Sequence, residues 1–303
     1  MRTAFIQELI RHARSHPEIF LLVGDLGYSV VEPFAQEFPE RFLNAGVAEQ
    51  NMAGVAAGLA SEGYHVFTYS IANFPTLRCL EQIRNDICYH QWPVTVVAVG
   101  AGMAYGNLGY SHHAVEDIGV LRGLPNLQIF SPADPGETRG CVQRLVEQPG
   151  PSYLRLGKAG EHDLHAVRGV GAAPLPIIKT DHSVALVATG AVLKEALTAA
   201  EILATQGQSI SVWSCPWLNP VVPADLHHLH SYACVFSLEE HRSATGLGAI
   251  LRENLPPNVR VIACGVATEL ASVVGSQEFM RLQAGLDGTT IAKRIAAFLN
   301  ESA

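Results

Sequence analysis

The sequence has few charged residues and no cluster of basic ones. Only 16% of the 303 residues are charged, the formal net charge is −8, and no run of five Lys or Arg residues occurs. Nucleic acids and anionic lipids attract proteins through such basic clusters. The charge pattern therefore argues against those ligands and favours a small-molecule or protein partner.

Close cysteine pairs and long apolar runs are also missing. The six cysteines are widely scattered without a CxxC pair, so neither a zinc site nor a disulfide framework is indicated, and buried reduced thiols are expected. The longest apolar run, 94–104, is interrupted by two glycines and has about half the length of a membrane span. The first residues lack the continuous apolar stretch of a secretory signal. We therefore expect a cytoplasmic protein.

Apolar segments that read as strands alternate with segments of helical periodicity. In the first half the predicted strands are 19–24, 65–70 and 94–100, and the predicted helices are 3–15, 48–61 and 76–90. In the second half the predicted strands are 183–190, 209–214, 233–238 and 259–264, and the predicted helices are 191–206, 223–230, 244–254 and 288–300. This alternation is typical of α/β folds. We predict two domains, 1–158 and 181–303, each with a mainly parallel sheet flanked by helices, joined by a linker at 159–180 that is rich in Gly, Ala and Pro.

The predicted helix 48–61 carries small residues where a surface helix usually carries long polar ones. Its sequence, AEQNMAGVAAGLAS, leaves little side-chain bulk, so other backbones can approach it closely. We expect this helix to be covered by another part of the protein. Glu49 lies in its first turn, where the helix dipole alone could favour a carboxylate.

Several segments resemble, in the same order, those of the transketolase and deoxyxylulose-phosphate synthase family. They are RFLNAGVAEQNMAGVAAGLASEGY around Glu49, VGDLGYS at 23–29, YSIANF at 69–74, GYSHHAVEDI at 109–118, SPADPGE at 131–137, GPSYLRLGK at 150–158, SLEEH at 237–241 and LDGTTIAKRIAAFL at 286–299. The resemblance covers almost the whole chain. It implies the family's thiamine-diphosphate pyrimidine-binding domain followed by its C-terminal domain.

The family's diphosphate-binding motif does not occur in this sequence. In the family, a domain with a GDG motif holds the diphosphate and its metal, and no GDG is present here. The resemblance therefore implies a subunit of a split transketolase, which transfers a two-carbon ketol unit from a ketose donor to an aldehyde acceptor. Thiamine diphosphate and Mg²⁺ or Ca²⁺ would be bound through a partner subunit with the GDG motif, in a heterotetramer of two plus two chains that acts on sugars or sugar phosphates.

The resemblance also implies roles for individual residues. Glu49 matches the glutamate that hydrogen-bonds pyrimidine N1′ and favours the imino tautomer. His112 matches a histidine that donates to substrate oxygens and carries a proton, and His113 is a weaker candidate for a substrate contact. Phe74 matches the ring that stacks on the pyrimidine, with Tyr69 as its substitute and an ordinary core phenylalanine as the alternative. Two adjacent histidines without a further ligand do not indicate a metal site.

Further candidates lie at the ends of predicted strands. Asp25 and Ser29 match a DLxxS segment beside the family's active site, where Asp25 would contact the cofactor and Ser29 the substrate. A turn-capping role is the alternative for Asp25. Arg155 and Lys158 fall where family members bind substrate phosphate, although either could be a solvated charge. We interpret Glu239, with Glu240 and His241 beside it, as a structural pair at a strand end bonded to a helix N-terminus.

Three positions depart from the family pattern. Leu108, Gly100 and Ala101 replace polar residues that contact the substrate in family members, which argues for a donor or acceptor other than the usual pentose phosphates. Two alternatives stay open: the β subunit of a 2-oxo acid dehydrogenase or acetoin-cleaving enzyme, and a non-catalytic assembly subunit. His112 in its SHH segment favours ketol transfer, and an intact Glu49 argues against the assembly role.

Overall fold

The most apolar segments of the chain form the central strands of two sheets. The structure is a computed structural model that describes residues 1–158, 160–166 and 169–301. All side chains of Ile19–Val23 and of Val94–Val99 are buried, as expected for parallel strands covered by helices on both faces. The predicted α/β fold with two mainly parallel sheets is confirmed.

The described residues form one sheet of seven strands and one of five. Numbered along the chain, the strands are β1 (Ile19–Val23), β2 (Phe42–Asn44), β3 (His65–Ile71), β4 (Val94–Val99), β5 (Gln128–Phe130), β6 (Ser152–Leu156), β7 (Leu175–Ile178), β8 (Val184–Thr189), β9 (Ser211–Ser214), β10 (Trp217–Asn219), β11 (Cys234–Glu239) and β12 (Arg260–Cys264). The spatial orders are β10-β5-β6-β4-β3-β1-β2 and β12-β11-β8-β9-β7. All neighbouring pairs are parallel except β10 with β5 and β7 with β9. The antiparallel strands therefore lie at the edges of their sheets.

Helices cover both faces of each sheet. They are α1 (Arg2–Ala13), α2 (Glu32–Glu37), α3 (Glu49–Ser61), α4 (Leu80–Gln82), α5 (Asp117–Leu121), α6 (Pro135–Glu147), α7 (Leu193–Thr205), α8 (Leu247–Asn254), α9 (Gln277–Ala284) and α10 (Gly288–Glu301). Phe5 and Leu9 of α1 pack with Phe67 in the core on one face of the first sheet. Ala53 and Ala56 of α3 belong to the core on the other face. Among the described helices, none is long and apolar enough to cross a membrane.

The sequence-based elements and the observed ones differ most where segments are short or irregular. The predicted helix 76–90 contains α4 followed by the π-helical segment Ile83–Cys88. The predicted linker 159–180 contains β7, which pairs with β9, so the second sheet begins earlier than expected. Residues 159, 167 and 168 of that linker lie outside the described residues. All six cysteines are buried free thiols, as predicted.

The two halves of the chain are not fully separate. Strand β10 comes from the second half but pairs with β5 of the first sheet. Arg155 of β6 donates from Nη2 to the backbone oxygen of Glu240 at 3.0 Å, and the side chain of Arg155 is 2% exposed. The junction between the halves is therefore a buried polar contact in addition to a shared sheet.

Candidate active site

The carboxyl ends of β1, β3 and β4 lie next to one another at one edge of the first sheet. The chain turns sharply there, because φ is positive at Asp25 (55°) after β1, at Ala72 (42°) after β3 and at Gly100 (99°) after β4. Such a backbone at a residue other than glycine costs on the order of 1 kcal/mol or more and is concentrated at functional sites. Open α/β sheets bind ligands at this edge, so the candidate site falls where the fold favours one.

Glu49 is the first residue of α3 and lies at this edge. Its side chain is only 2% exposed. It packs against the end of β1, because a Cβ atom added to Gly24 would lie 3.6 Å from Glu49 Cγ. The carboxylate is also favoured by the helix dipole. The sequence thus places an acid in a buried position beside the strand ends.

Arg78 lies over the Glu49 carboxylate and is not among the residues predicted from the sequence. Its Nη1 atom donates to Glu49 Oε2 at 2.7 Å, and its own side chain is 48% exposed. Within residues 1–158, 160–166 and 169–301, the Glu49 carboxylate accepts no other hydrogen bond. The two residues are 29 positions apart, so periodicity gives no sign of the pair. Its only sequence signal is that Arg78 follows closely after Phe74.

Phe74 and His112 complete a cluster around this ion pair. The Phe74 ring centroid lies 4.8 Å from Arg78 Cζ and 5.3 Å from the ring centroid of His112, with the two rings edge to face. Both rings are partly exposed. The structure therefore brings three of the predicted residues, Glu49, Phe74 and His112, to one surface.

Asn73 holds the segment that carries His112. Its Nδ2 atom donates to the backbone oxygens of Ser111 at 3.3 Å and of His113 at 2.8 Å, on both sides of His112. The side chain of His113 is 2% exposed, and its Nε2 atom lies 3.3 Å from the backbone oxygen of Gly106. His113 therefore faces the interior, and the geometry argues against it as a substrate contact.

Asp25 and Ser29 lie in the loop that follows β1. The Asp25 N–H donates to Asn44 Oδ1 at 3.1 Å, and Asn44 Nδ2 donates to Asp25 Oδ1 at 3.0 Å. Asp25 thus ties its turn to β2, which matches the turn-capping alternative. The Ser29 N–H donates to Glu32 Oε1 at 2.8 Å, and Ser29 is exposed. Both residues stay candidates, since they border the strand end beside Glu49.

The structure argues against two other predicted contacts. Tyr69 is 2% exposed and stacks on Phe5 at 5.9 Å, because it points to the face of β3 that packs against α1. Burial raises the pKa of Tyr69 above its ordinary value. Arg155 is equally buried, and its Nε atom donates to Asp117 Oδ2 at 2.8 Å. Tyr69 therefore belongs to the core and not to the cofactor surface, and Arg155 neutralises an interior acid and is not free for a substrate phosphate.

Lys158 lies between the two halves of the chain. It lines a cleft of about 220 Å³ together with Lys194, Arg281, Glu161 and Glu278. Backbone hydrogen bonding is the main cause that lowers the pKa of the Glu278 carboxyl. Positive charge on Lys158 and Arg281 lowers this pKa further. Lys158 is thus an accessible cation beside other charges, and it stays a candidate for an anionic substrate.

At the three positions predicted to depart from the family pattern, Gly100, Ala101 and Leu108, no polar side chain is present. A Cβ atom at Gly100 would clash with the ring of Tyr105, so that ring requires glycine there. Ala101 is 7% exposed and forms a backbone bridge with Ala114. Leu108 is 52% exposed in the glycine-rich loop. The loop therefore presents an apolar side chain to solvent at this position.

Glu239 is structural, as predicted from the strand-end position. Its carboxylate accepts from the N–H groups of Leu247 at 2.6 Å and Gly248 at 2.8 Å, at the start of α8. Burial raises the pKa of Glu239 to about 7. His241 is fully buried, and its Nε2 atom accepts from the N–H of Gly119 at 3.3 Å. Neither side chain reaches the surface that holds Phe74.

The chemistry of the cluster suits a flat, protonatable heterocycle. Glu49 has one carboxylate oxygen bound by Arg78, and an acid with its second oxygen free can hydrogen-bond a ring nitrogen. Phe74 offers an aromatic surface beside it. In the part of the chain that the structure describes, no group of three or more His, Cys, Asp or Glu side chains is arranged to hold a metal ion.

Known families and proteins match this chain over most of its length. The family model described as "Transketolase, pyrimidine binding domain" matches residues 1–160, and "Transketolase, C-terminal domain" matches residues 175–259. An apulose-4-phosphate transketolase subunit from Phocaeicola vulgatus is 34% identical over 99% of this chain and 97% of its own length. The protein of the same name from Actinobacillus succinogenes is 33% identical over 94% of each chain.

A solved structure resembles this chain over nearly its full length. It is described as "Split gene transketolase, inactive beta4 tetramer" and has a TM-score of 0.85, with 33% identity over 98% of this chain and 97% of the other. Sequence and fold therefore point to the same group of proteins.

Proposed function

The chain belongs to the transketolase family, and we propose that it is one subunit of a two-component, thiamine-diphosphate-dependent transketolase. The enzyme transfers a two-carbon ketol unit from a ketose donor to an aldehyde acceptor, as a transferase. The observation that carries the proposal is the buried Glu49 at the start of α3, beside Phe74 and His112 at the carboxyl edge of the first sheet.

Each residue of the cluster has a separate task in this proposal. Glu49 hydrogen-bonds pyrimidine N1′ of the coenzyme and holds the proton there, since the low exposure of its side chain keeps water away. Phe74 supports the pyrimidine ring through its aromatic surface. His112 is partly exposed and donates to the substrate oxygen that gains charge. When bound, thiamine diphosphate supplies the nucleophilic carbon to which the ketol unit is attached.

A partner subunit completes the site. It carries the GDG motif and holds the diphosphate with Mg²⁺ or Ca²⁺. Two observations support a partner at α3: Gly54 and Gly58 are exposed, and a Cβ atom at either position would meet nothing within 4 Å. The similar solved structure contains only β chains and is described as inactive, so we expect this chain alone to be inactive. We place the assembly, a heterotetramer of two plus two chains, in the cytoplasm.

The substrate is a sugar or sugar phosphate other than the usual pentose phosphates. Leu108 is exposed, Gly100 is required by the ring of Tyr105, and Ala101 forms a backbone bridge, so none of the three positions presents a polar side chain. Sites that hydrogen-bond a substrate discriminate strongly between substrates. A site without those polar groups therefore accepts a different set of substrates. Lys158 and the exposed Ser29 are the groups available to an anionic end of the substrate.

Reconstitution tests the proposal directly. The chain is mixed with the product of a neighbouring GDG-containing gene, thiamine diphosphate and Mg²⁺, and ketol transfer is measured for wild type and for Glu49→Gln. We expect turnover to fall at least about 100-fold in Glu49→Gln, whereas Glu62→Gln, at the exposed end of the same helix, keeps wild-type turnover.

Other outcomes of the same assay overturn the proposal. Equal turnover by wild type and Glu49→Gln would remove Glu49 from the mechanism. Oxidation or decarboxylation of 2-oxo acids in place of ketol transfer would favour the dehydrogenase-type alternative. Lack of thiamine dependence in every pairing would favour a non-catalytic assembly subunit.

A further inference from the structure

Arg78 is the charged partner of Glu49, the buried acid of the site, and the proposed function gives this arginine no role so far. Glu49 is 2% exposed, and a carboxylate removed from water is costly unless it is paired. Arg78 Nη1 donates to Glu49 Oε2 at 2.7 Å, while its side chain stays 48% exposed. Arg78 therefore stabilises negative charge on Glu49 and loses little of its own hydration.

Several contacts hold Arg78 in place. Gln50 Nε2 donates to the backbone oxygen of Arg78 at 3.1 Å, which ties it to the first turn of α3. Its guanidinium carbon lies 4.8 Å from the Phe74 ring centroid, within the range of a cation–π contact. The guanidinium is thus positioned by the same elements that position Glu49 and Phe74. It is not a freely moving surface charge.

We infer that Arg78 is a positioning residue: it holds Oε2 of Glu49, fixes the orientation of the carboxylate and leaves Oε1 for the coenzyme pyrimidine. This inference rests on the proposed function. A planar guanidinium suits the role, because its donors have a fixed geometry that an ammonium group lacks.

The test measures coenzyme binding and the tautomer of the bound coenzyme in the assembled two-subunit enzyme. Arg78→Gln, Arg78→Lys and the control Arg84→Gln are compared with wild type; Arg84 is exposed and donates to the neighbouring Asn85. Thiamine diphosphate affinity is measured by calorimetry, and the imino tautomer by near-ultraviolet circular dichroism at fixed pH. We expect Arg78→Gln to weaken affinity about tenfold, or about 1.4 kcal/mol, and to reduce the imino signal. Arg78→Lys should recover part of both, and Arg84→Gln should match wild type.

Two results overturn the inference. Wild-type affinity and spectrum in Arg78→Gln would make the pair an ordinary surface contact, and tighter binding would mean that Arg78 competes with the pyrimidine for Glu49. Both results can be distinguished from failure of the proposed function. If that function is wrong, thiamine diphosphate binding by the wild-type enzyme does not depend on Glu49. Because Arg78 is half exposed, thermal unfolding of each chain is measured to verify that the variants are folded.

Discussion

Glu49, Arg78 and His112 differ in their exposure to solvent. The acid is buried, the arginine above it is half exposed, and the histidine beside Phe74 is partly exposed. A group that exchanges a proton with a coenzyme ring benefits from a dry site, whereas a group that meets a changing set of sugars needs access. In the function that we propose, the positions of these side chains separate coenzyme activation from substrate contact.

Substitution of His112 tests this separation. We expect His112→Gln to lower kcat about 100-fold, because the donor to the substrate oxygen is lost. Thiamine diphosphate affinity should stay unchanged, because Glu49 and Phe74 keep their contacts with Arg78. Steady-state kinetics and calorimetry on the assembled enzyme measure both quantities. His230→Gln, at an exposed site in the second half, is the control. Full turnover in His112→Gln, or lost coenzyme binding, would contradict the assignment.

One face of helix α3 packs against the first sheet, and the other face is exposed. Ala53, Ala56 and Ala60 are buried against the first sheet, while Gly54 and Gly58 face outward. Glycine in a helix interior costs about 1 kcal/mol relative to alanine, and no contact within the described chain requires it at these positions. We propose that a close approach by the partner subunit explains why this destabilising choice is tolerated.

Two substitutions at Gly54 distinguish folding from assembly. Gly54→Ala should raise the free energy of unfolding of the isolated chain by about 1 kcal/mol, as measured by urea denaturation. Gly54→Leu should fold as well but should fail to form the complex with the partner subunit in size-exclusion chromatography, because the added side chain blocks close approach. Ala204→Leu, at an exposed position of α7, should assemble normally. Unchanged assembly of Gly54→Leu would show that this face is not covered.

The elements that can be predicted from the sequence are those whose pattern is local. Strands β1, β3, β4 and β8 are rich in apolar, aromatic and β-branched residues, and their predicted bounds agree with the observed ones within a residue or two. The short strands β2, β5 and β10 have only three residues each, too few for a period to be recognised. Strand β7 falls within the predicted linker because proline interrupts it at Pro176, which an edge strand tolerates.

The site can be predicted only in part, for a related reason. Glu49 and His112 are recognisable by their neighbours in the sequence, but the pairing of Arg78 with Glu49 arises only when a turn folds onto a helix start. Tyr69 and Arg155 lie in strands, where alternate side chains point to opposite faces. A motif fixes their positions along the chain, but burial of one face is a tertiary property, and here it places both in the interior.

In the whole molecule, buried charge contributes to holding the two halves together. Asp117 Oδ2 accepts from Arg155 Nε at 2.8 Å and from the Tyr153 hydroxyl at 2.6 Å. Arg155 also donates to backbone oxygens of both halves, at Ala114 and Glu240. Removing one partner of a buried ion pair leaves an uncompensated charge. This network therefore links the second half of the chain to the sheet that carries the candidate site.

Arg155→Met tests whether this arginine is structural. We expect a loss of about 3 to 5 kcal/mol in the free energy of unfolding, because Asp117 is left buried and unpaired, with the KM for sugar substrates unchanged in the folded fraction. Arg14→Met, which breaks an exposed pair with Glu37, should change stability little. A raised KM without loss of stability would return Arg155 to the substrate site.

The most direct test of the account is a structure of this chain bound to its partner subunit, thiamine diphosphate and metal. We predict that a Glu49 carboxylate oxygen lies at hydrogen-bond distance, about 2.7 to 3.2 Å, from pyrimidine N1′, in a cleft closed by the partner over α3. A coenzyme bound elsewhere, or a Glu49 side chain that faces bulk water away from any subunit interface, would contradict it.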